Sequence, residues 1–275
     1  NRAFYGVPDL TNAEGFHTNA VYGFLNIMFK ILEEEQADHL AVAFDLPAPT
    51  FRHKMYGDYK GTRKPMPEEL REQVPLMQEV LAAMGIPILT LEGYEADDIL
   101  GTVAKRSQAA GVEVSVVSGD RDLLQLADAH IKIRIPKTSR GSTEIYDYYP
   151  EDVKAQYQVT PAEFIDVKAL MGDASDNIPG VPSIGEKTAT AIIAAFGSIE
   201  NARAHLDEVK PPRARKALEE HYDMAQMSKE LAAICTDCPV EFRYEDARIE
   251  NLYTPEAFRE MKRLGFKTFL SRFDA

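Results

Sequence analysis

The sequence contains no tryptophan, only two cysteines, and no apolar run of the roughly 18 residues that a membrane-spanning helix needs. Its opening stretch, NRAFYGVPDL, has neither the basic nor the apolar region of a secretory signal. A soluble, cytoplasmic, monomeric protein without a membrane partner is therefore expected. Cys235 and Cys238 form a C-x-x-C pair late in a helical segment. No second cysteine pair completes a zinc site, and a redox motif would open a helix after a strand, so two incidental thiols are expected. Basic charge is also scarce: 31 lysines and arginines face 44 aspartates and glutamates, for a net charge of −13. That total argues against an ordinary nucleic-acid binder, which usually presents a basic face. It is only a sum, however, and acids gathered at a metal site are partly neutralised by the ions they hold.

With 275 residues, 45% of them hydrophobic, the chain can bury one large core or two smaller ones. Val21, Phe24, Leu25, Met28 and Leu32 recur at helical steps over 17–35. Residues 40–45 (LAVAFD), 86–91 (IPILTL) and 113–118 (EVSVVS) have the short apolar character of buried strands. Helices are expected over 67–84, kinked at Pro75, and over 95–110. Strand, helix, strand with short links predicts βαβ units: an α/β fold with a mainly parallel central sheet flanked by helices. Beyond about residue 149 helices dominate, over 150–157, 161–171, 186–196, 212–234 and from 255 onward. Two lobes packed together are expected, an α/β core over 1–160 and a helical lobe over 161–275.

Acids end the strands or open the helices. Asp45 closes LAVAFD; Glu95, Asp97 and Asp98 follow the second strand in GYEADDIL; Asp120 and Asp122 follow the third in SGDRD. In an open parallel sheet these strand ends lie along one edge, where ligands of α/β proteins bind. Asp173 and Asp176, in MGDASDN, are spaced i, i+3 so that both can face one way at a helix end. Singly, each acid has an ordinary explanation as a helix-dipole partner, a cap or a turn former. Together, eight acids from four segments would raise one another's pKa and destabilise the fold unless cations offset them. An all-oxygen donor set without nearby histidine favours magnesium or manganese over zinc or copper, and no segment supplies the twelve-residue calcium loop. Eight acids exceed what one such ion uses, so two ions are expected. A pair about 4 Å apart is the usual arrangement for in-line displacement at phosphorus, so the expected reaction is phosphodiester hydrolysis.

Two further stretches stand out. Residues 50–67, TFRHKMYGDYKGTRKPMP, mingle Arg52, Lys54, Lys60, Arg63 and Lys64 with Phe51, Tyr56 and Tyr59; taken alone, this patch reads as a solvated loop. Residues 177–188, NIPGVPSIGEKT, set Gly180 and Gly185 before a helical run that includes Lys187 and Thr188. Backbone N–H groups there are free to hold a phosphate, aided by the helix dipole. The order is not that of a Walker A loop, and a plain turn between helices would use the same glycines.

The segments AFD, YKGTR, GYEADD, SGDRDLLQL and MGDASDNIPGVPSIGEKTA stand in the order and approximate spacing of the 5′-nuclease domains of bacterial DNA polymerase I, within the flap endonuclease superfamily. The resemblance runs over essentially the whole chain, down to EMKRLGFKTFLSRF. It implies a Rossmann-like, PIN-type core and a helical lobe with a helix-three-turn-helix. It implies that Asp45, Glu95, Asp97, Asp98 and Asp120 serve a first Mg²⁺ or Mn²⁺, directly or through water, and that Asp120, Asp122, Asp173 and Asp176 serve a second. The basic-aromatic patch then matches a helical arch or clamp, in which Lys60 and Arg63 contact the scissile phosphate. Arg52, Tyr59, Gly180, Gly185, Lys187 and Thr188 are the implied DNA contacts, with Tyr59 stacking on a base and K⁺ held by loop carbonyls near Gly180–Gly185. The implied partner is DNA with a 5′ flap, nick or gap, RNA primer–DNA junctions included.

Members of that family carry an apolar strand ending in Ile-Asp-Gly ahead of the stretch corresponding to NRAFYG. A chain beginning at Asn1 is thus expected to be unstable or nearly inactive, and the sequence to be a portion of a longer one, either an excised polymerase domain or a free-standing exonuclease. Two other functions compete: a DNA-junction binding module with a disabled site, and a phosphohydrolase of small metabolites, against which stands the lack of a D-x-D-x-[TV] motif.

Overall fold

The computed structural model describes residues 1–273. Strand β1 (Val42–Ala43) pairs in parallel with β2 (Ile88–Leu89), and β3 (Val114–Val117) pairs in parallel with β4 (Ile131–Ser139). A further strand, β5 (Ser142–Tyr148), returns antiparallel along β4. The α/β character and parallel pairing are as expected, but the central sheet is in two pieces. Between β1 and β3 lies a cavity of about 320 Å³ with apolar walls that include Val42, Val114 and Val116.

The β4–β5 hairpin was not anticipated from the sequence. Its signal is present all the same: Ile131, Ile133 and Ile135 alternate and are buried, and the two-residue turn Arg140-Gly141 has positive φ at both positions. Pro75 does not kink one long helix; it sits in the first turn of Gln73–Ala83, which follows the separate short helix Glu68–Arg71. The expected 212–234 helix likewise divides at His221 into Pro212–Glu220 and Tyr222–Ala232. Among the described residues no helix is long and apolar enough to cross a membrane.

Two main cores result. In the first, the helix Asn19–Glu35 and the helix Gln73–Ala83 bury Val21, Leu25, Phe29, Val80 and Leu81 against Met261 and Phe269. The C-terminal helix Pro255–Leu264 therefore packs in the α/β lobe rather than in the helical lobe that the boundary at residue 161 implied. Its strongly one-sided apolar face needs a cover, and the buried Leu76, Val80 and Leu81 of Gln73–Ala83 help supply it. The second core joins Pro161–Met171, Glu186–Phe196 and the helices after them through Phe164, Leu170, Ile193, Ile199 and Leu218. Buried Asp166 ties this lobe together, accepting from the Ile199 N–H and from Lys229, both at 2.9 Å.

Truncating Met261, which is fully buried, to Ala removes side chain from the first core and is expected to cost about 2–5 kcal/mol in urea unfolding. A cost within the few tenths typical of surface changes would contradict this packing.

Candidate metal centre

The helix Ala96–Ala109 begins at a capping box in which the Glu95 N–H donates to Asp98 at 2.9 Å. Asp98 is fully buried, and Arg52 forks onto both of its carboxylate oxygens at 2.9 and 2.8 Å. The remaining N–H groups of Arg52 reach Glu95 and the carbonyls of Leu231 and Ala233. Arg52, expected as a DNA contact, is instead an interior residue whose donors are engaged within the protein; Asp98 sits at the same helix start as Glu95 and Asp97, with its oxygens held by Arg52 and the Cys235 N–H. Tyr59 is also corrected: it is buried, and its hydroxyl donates to Glu95 at 3.0 Å, so its ring is not free to stack on a base.

The other seven acids converge. Asp122, Asp173 and Asp176 each offer an oxygen within 4.8 Å of the others. Asp120 caps the turn that follows β3, accepting from the Asp122 N–H at 2.9 Å. Asp45 accepts from the Ala96 N–H at 2.7 Å and so holds the other end of the edge to the same helix start. Burial pushes the Asp97 carboxyl well above its ordinary range, and the charges of Asp120, Glu95, Asp45 and Asp122 push it further. Asp122 rises to about 6, by burial first and then by Asp120, against the pull of Lys168. Burial likewise raises Asp176, with Arg63 and Lys60 opposing.

Besides Arg52 on Glu95, three cations answer this repulsion. Lys60 pairs with Glu95, and Arg63 with Asp176. Lys168 lies 2.9 Å from Asp173 and 3.3 Å from Asp122. Burial disfavours the charged forms of Glu95 and Asp173, but Lys60 and Arg52 hold Glu95 below the usual carboxylate range, and Ser175 and Lys168 do the same for Asp173. Lys168 was absent from the sequence candidates; its only signal is a lysine in the last turn of the helix that leads into Asp173. The donor set suits hard divalent cations: oxygens from separate segments, without histidine or thiol, whose mutual repulsion a small dication relieves. Cys235 and Cys238 are free, and burial raises the Cys235 thiol to about 11, far from a reactive thiolate.

The loop after Asp173 is built on close backbone approach. Gly172 and Gly180 have φ of +72° and +63°, and a Cβ on Gly180 would fall 2.3 Å from the Gly172 nitrogen. The Gly180 N–H donates to Ser228 at 3.0 Å inside the lobe, so Gly180 shapes the loop and offers no donor to a phosphate, contrary to expectation. Gly185, by contrast, is the exposed residue before the helix Glu186–Phe196, whose first turn carries Lys187 and Thr188. The segment bearing Lys60 and Arg63 docks on this loop: the Lys60 N–H donates to the Asp176 carbonyl at 2.7 Å, and Asn177 to the Asp58 carbonyl at 2.8 Å.

Residues 1–158 match the family model of the 5′-3′ exonuclease N-terminal resolvase-like domain, and residues 159–254 that of the 5′-3′ exonuclease C-terminal SAM fold. DNA polymerase I of Bacillus caldotenax is 48% identical over 274 residues, covering 100% of this chain and 31% of the polymerase. DNA polymerase I of Bacillus subtilis is 47% identical over 271 residues, covering 98% and 31%. The chain thus spans about a third of the length of these relatives. Among solved structures, T5 5′-exonuclease with divalent metal ions (zinc) bound gives a TM-score of 0.66 at 22% identity, over 92% of this chain and 88% of that one. The catalytic core of Rad2 in complex with DNA substrate gives 0.58 at 16% identity, over 98% and 86%. At these identities the likeness is one of fold.

Two outcomes follow from the geometry. Arg52→Ala leaves Asp98 charged and buried without its partner and is expected to cost about 3–5 kcal/mol in chemical unfolding, whereas an exposed arginine would cost less than about 1. The second concerns pH. A carboxyl whose native pKa is raised contributes stability that is present near its unfolded value and lost as pH climbs through its native value, which for Asp122 is about 6. With chelator present, Asp122→Asn is therefore expected to raise the melting temperature near pH 7.5, by about 2–4 °C per kcal/mol recovered, and to change it little near pH 4. An equal gain at both pH values would disprove the assignment.

Proposed function

The chain belongs to the 5′-3′ exonuclease family, and we propose that it is a structure-specific 5′ nuclease, hydrolysing phosphodiester bonds at 5′ ends or flaps, nicks and gaps of duplex DNA with two Mg²⁺ or Mn²⁺ ions. Removal of displaced strands and RNA primers, as part of a longer polymerase chain, is the corresponding role. The observation that carries the reading is the meeting of Asp122, Asp173 and Asp176 within 4.8 Å, beside Asp97 and the acids around it. Asp122, Asp173 and Asp176 would hold one ion, and Asp45, Glu95, Asp97 and Asp120 the other. Such ions supply an activated water and stabilise the leaving oxygen.

The chain's own groups do the rest. Lys60 and Arg63 stand on carboxylates at the mouth of the cluster, and once those carboxylates are shared with ions both cations are available to the scissile phosphate, neutralising charge as it develops. The Lys60 amide bond to Asp176 fixes this segment relative to the acids, so phosphate and ligands are presented together. Across the lobe, the amides at the start of Glu186–Phe196, with Lys187 and Thr188, would hold a duplex phosphate, where a K⁺ would add neutralising charge. Contacts of this kind read backbone position and strand geometry rather than base order. The result is selection by structure.

The test is cleavage of a labelled 5′-flap duplex by the full natural chain. Product is expected with Mg²⁺ or Mn²⁺ and none with EDTA, and Asp173→Asn is expected to lower the rate by more than the 10- to 100-fold typical of losing an outer-sphere partner. Tight flap binding without turnover in either metal would contradict the proposal.

A further inference from the structure

Lys60 and Arg63 reach the acids from an irregular segment, residues 56–63, outside the helices. Lys168 is different. It belongs to the helix Pro161–Met171, whose last turn is closed by the Gly172 N–H donating to the Lys168 carbonyl at 2.9 Å, so only its side chain can move. Its ammonium spans Asp122 and Asp173, two of the three carboxylates that meet within 4.8 Å, and the side chains of all three partners are less than a fifth exposed. A monovalent charge thus lies between the oxygens that a divalent ion would share. Lys168 also borders a cavity of about 720 Å³ lined by Arg121, Tyr157 and Lys187, which gives the ammonium somewhere to go.

We propose that Lys168 is the resident cation of this carboxylate cluster: it holds Asp122 and Asp173 together in the ion-free protein and competes with the divalent ion that replaces it. The lysine keeps the two acids from driving each other apart, as an unpaired pair of buried charges would. An incoming dication meets like-charge repulsion from the ammonium, which must withdraw toward the cavity before the carboxylates are shared. There it faces the same open space as Arg121 and Lys187, where an anionic backbone is the complementary occupant. The inference rests on the acids being a divalent-ion site and not on the identity of the substrate.

The experiment compares Lys168→Met, Lys168→Arg and the natural chain by calorimetric Mn²⁺ titration and by melting temperature in EDTA. Lys168→Met is expected to melt lower without metal yet bind Mn²⁺ about tenfold more tightly, because the competitor is gone. Lys168→Arg keeps the charge and is expected to retain the natural ion-free melting temperature and Mn²⁺ affinity. A merely structural ion pair predicts the opposite for Lys168→Met, an unchanged or weaker affinity, and that result overturns the inference while leaving the ion site intact. Absence of Mn²⁺ uptake by the natural chain overturns both. Should Lys168→Met fold only with Mn²⁺, its ion dependence is itself the expected exchange; should it fold under neither condition, the same comparison on Lys168→Gln decides.

Discussion

The mutual repulsion of carboxylates drawn to one edge of the α/β lobe is the constraint around which the site is arranged. Acids gathered this closely must be neutralised, protonated or pushed apart. All three responses are constrained in this chain. Asp97 and Asp122 are shifted toward the protonated form, Lys60, Arg63 and Lys168 are recruited from two different regions of the chain, and the backbone prevents separation. Such an arrangement costs the ion-free protein stability and is the expected trade at a functional site, where strain is repaid by a ligand.

The pair of Arg52 and Asp98 has a distinct part in it. Arg52 joins the start of the Ala96–Ala109 helix to the carbonyls of Leu231 and Ala233, so it locks the α/β lobe to the end of a helix in the second lobe. Asp173 and Asp176, which belong to that second lobe, are thereby set opposite Asp120 and Asp122. The tight turn from Asp173 to Ile178, closed by reciprocal backbone bonds of 3.0 and 2.9 Å, does the same locally. Buried charge here is a registration device: its net energetic worth is small beside what its removal would cost.

Much of this was legible in the sequence, for identifiable reasons. Strand ends and helix starts follow from local patterns, and these put Asp45, Asp97, Asp120 and Asp122 at one edge. The character of residues 50–67 was legible as composition but not as geometry. A basic-aromatic run looks solvent-facing until a partner 46 residues away, here Asp98, draws its arginine inside. Gly180 was singled out for the right property, a backbone without Cβ, but the approaching backbone is Gly172 of the same chain rather than a phosphate. The hairpin at residues 131–148 carries the alternation of a strand, but its pairing with β3 is a long-range contact that no local pattern announces. Lys168 could not be found at all by pattern, since its partners Asp122 and Asp173 meet only in the fold.

The most direct measurement is a crystal structure grown with Mn²⁺ and recorded at the manganese absorption edge. Two anomalous peaks are expected, one among Asp122, Asp173 and Asp176 and one beside Asp97, with the Lys168 ammonium displaced from Asp173. A map without a peak in this cluster, and Lys168 still on its carboxylates, would contradict that expectation.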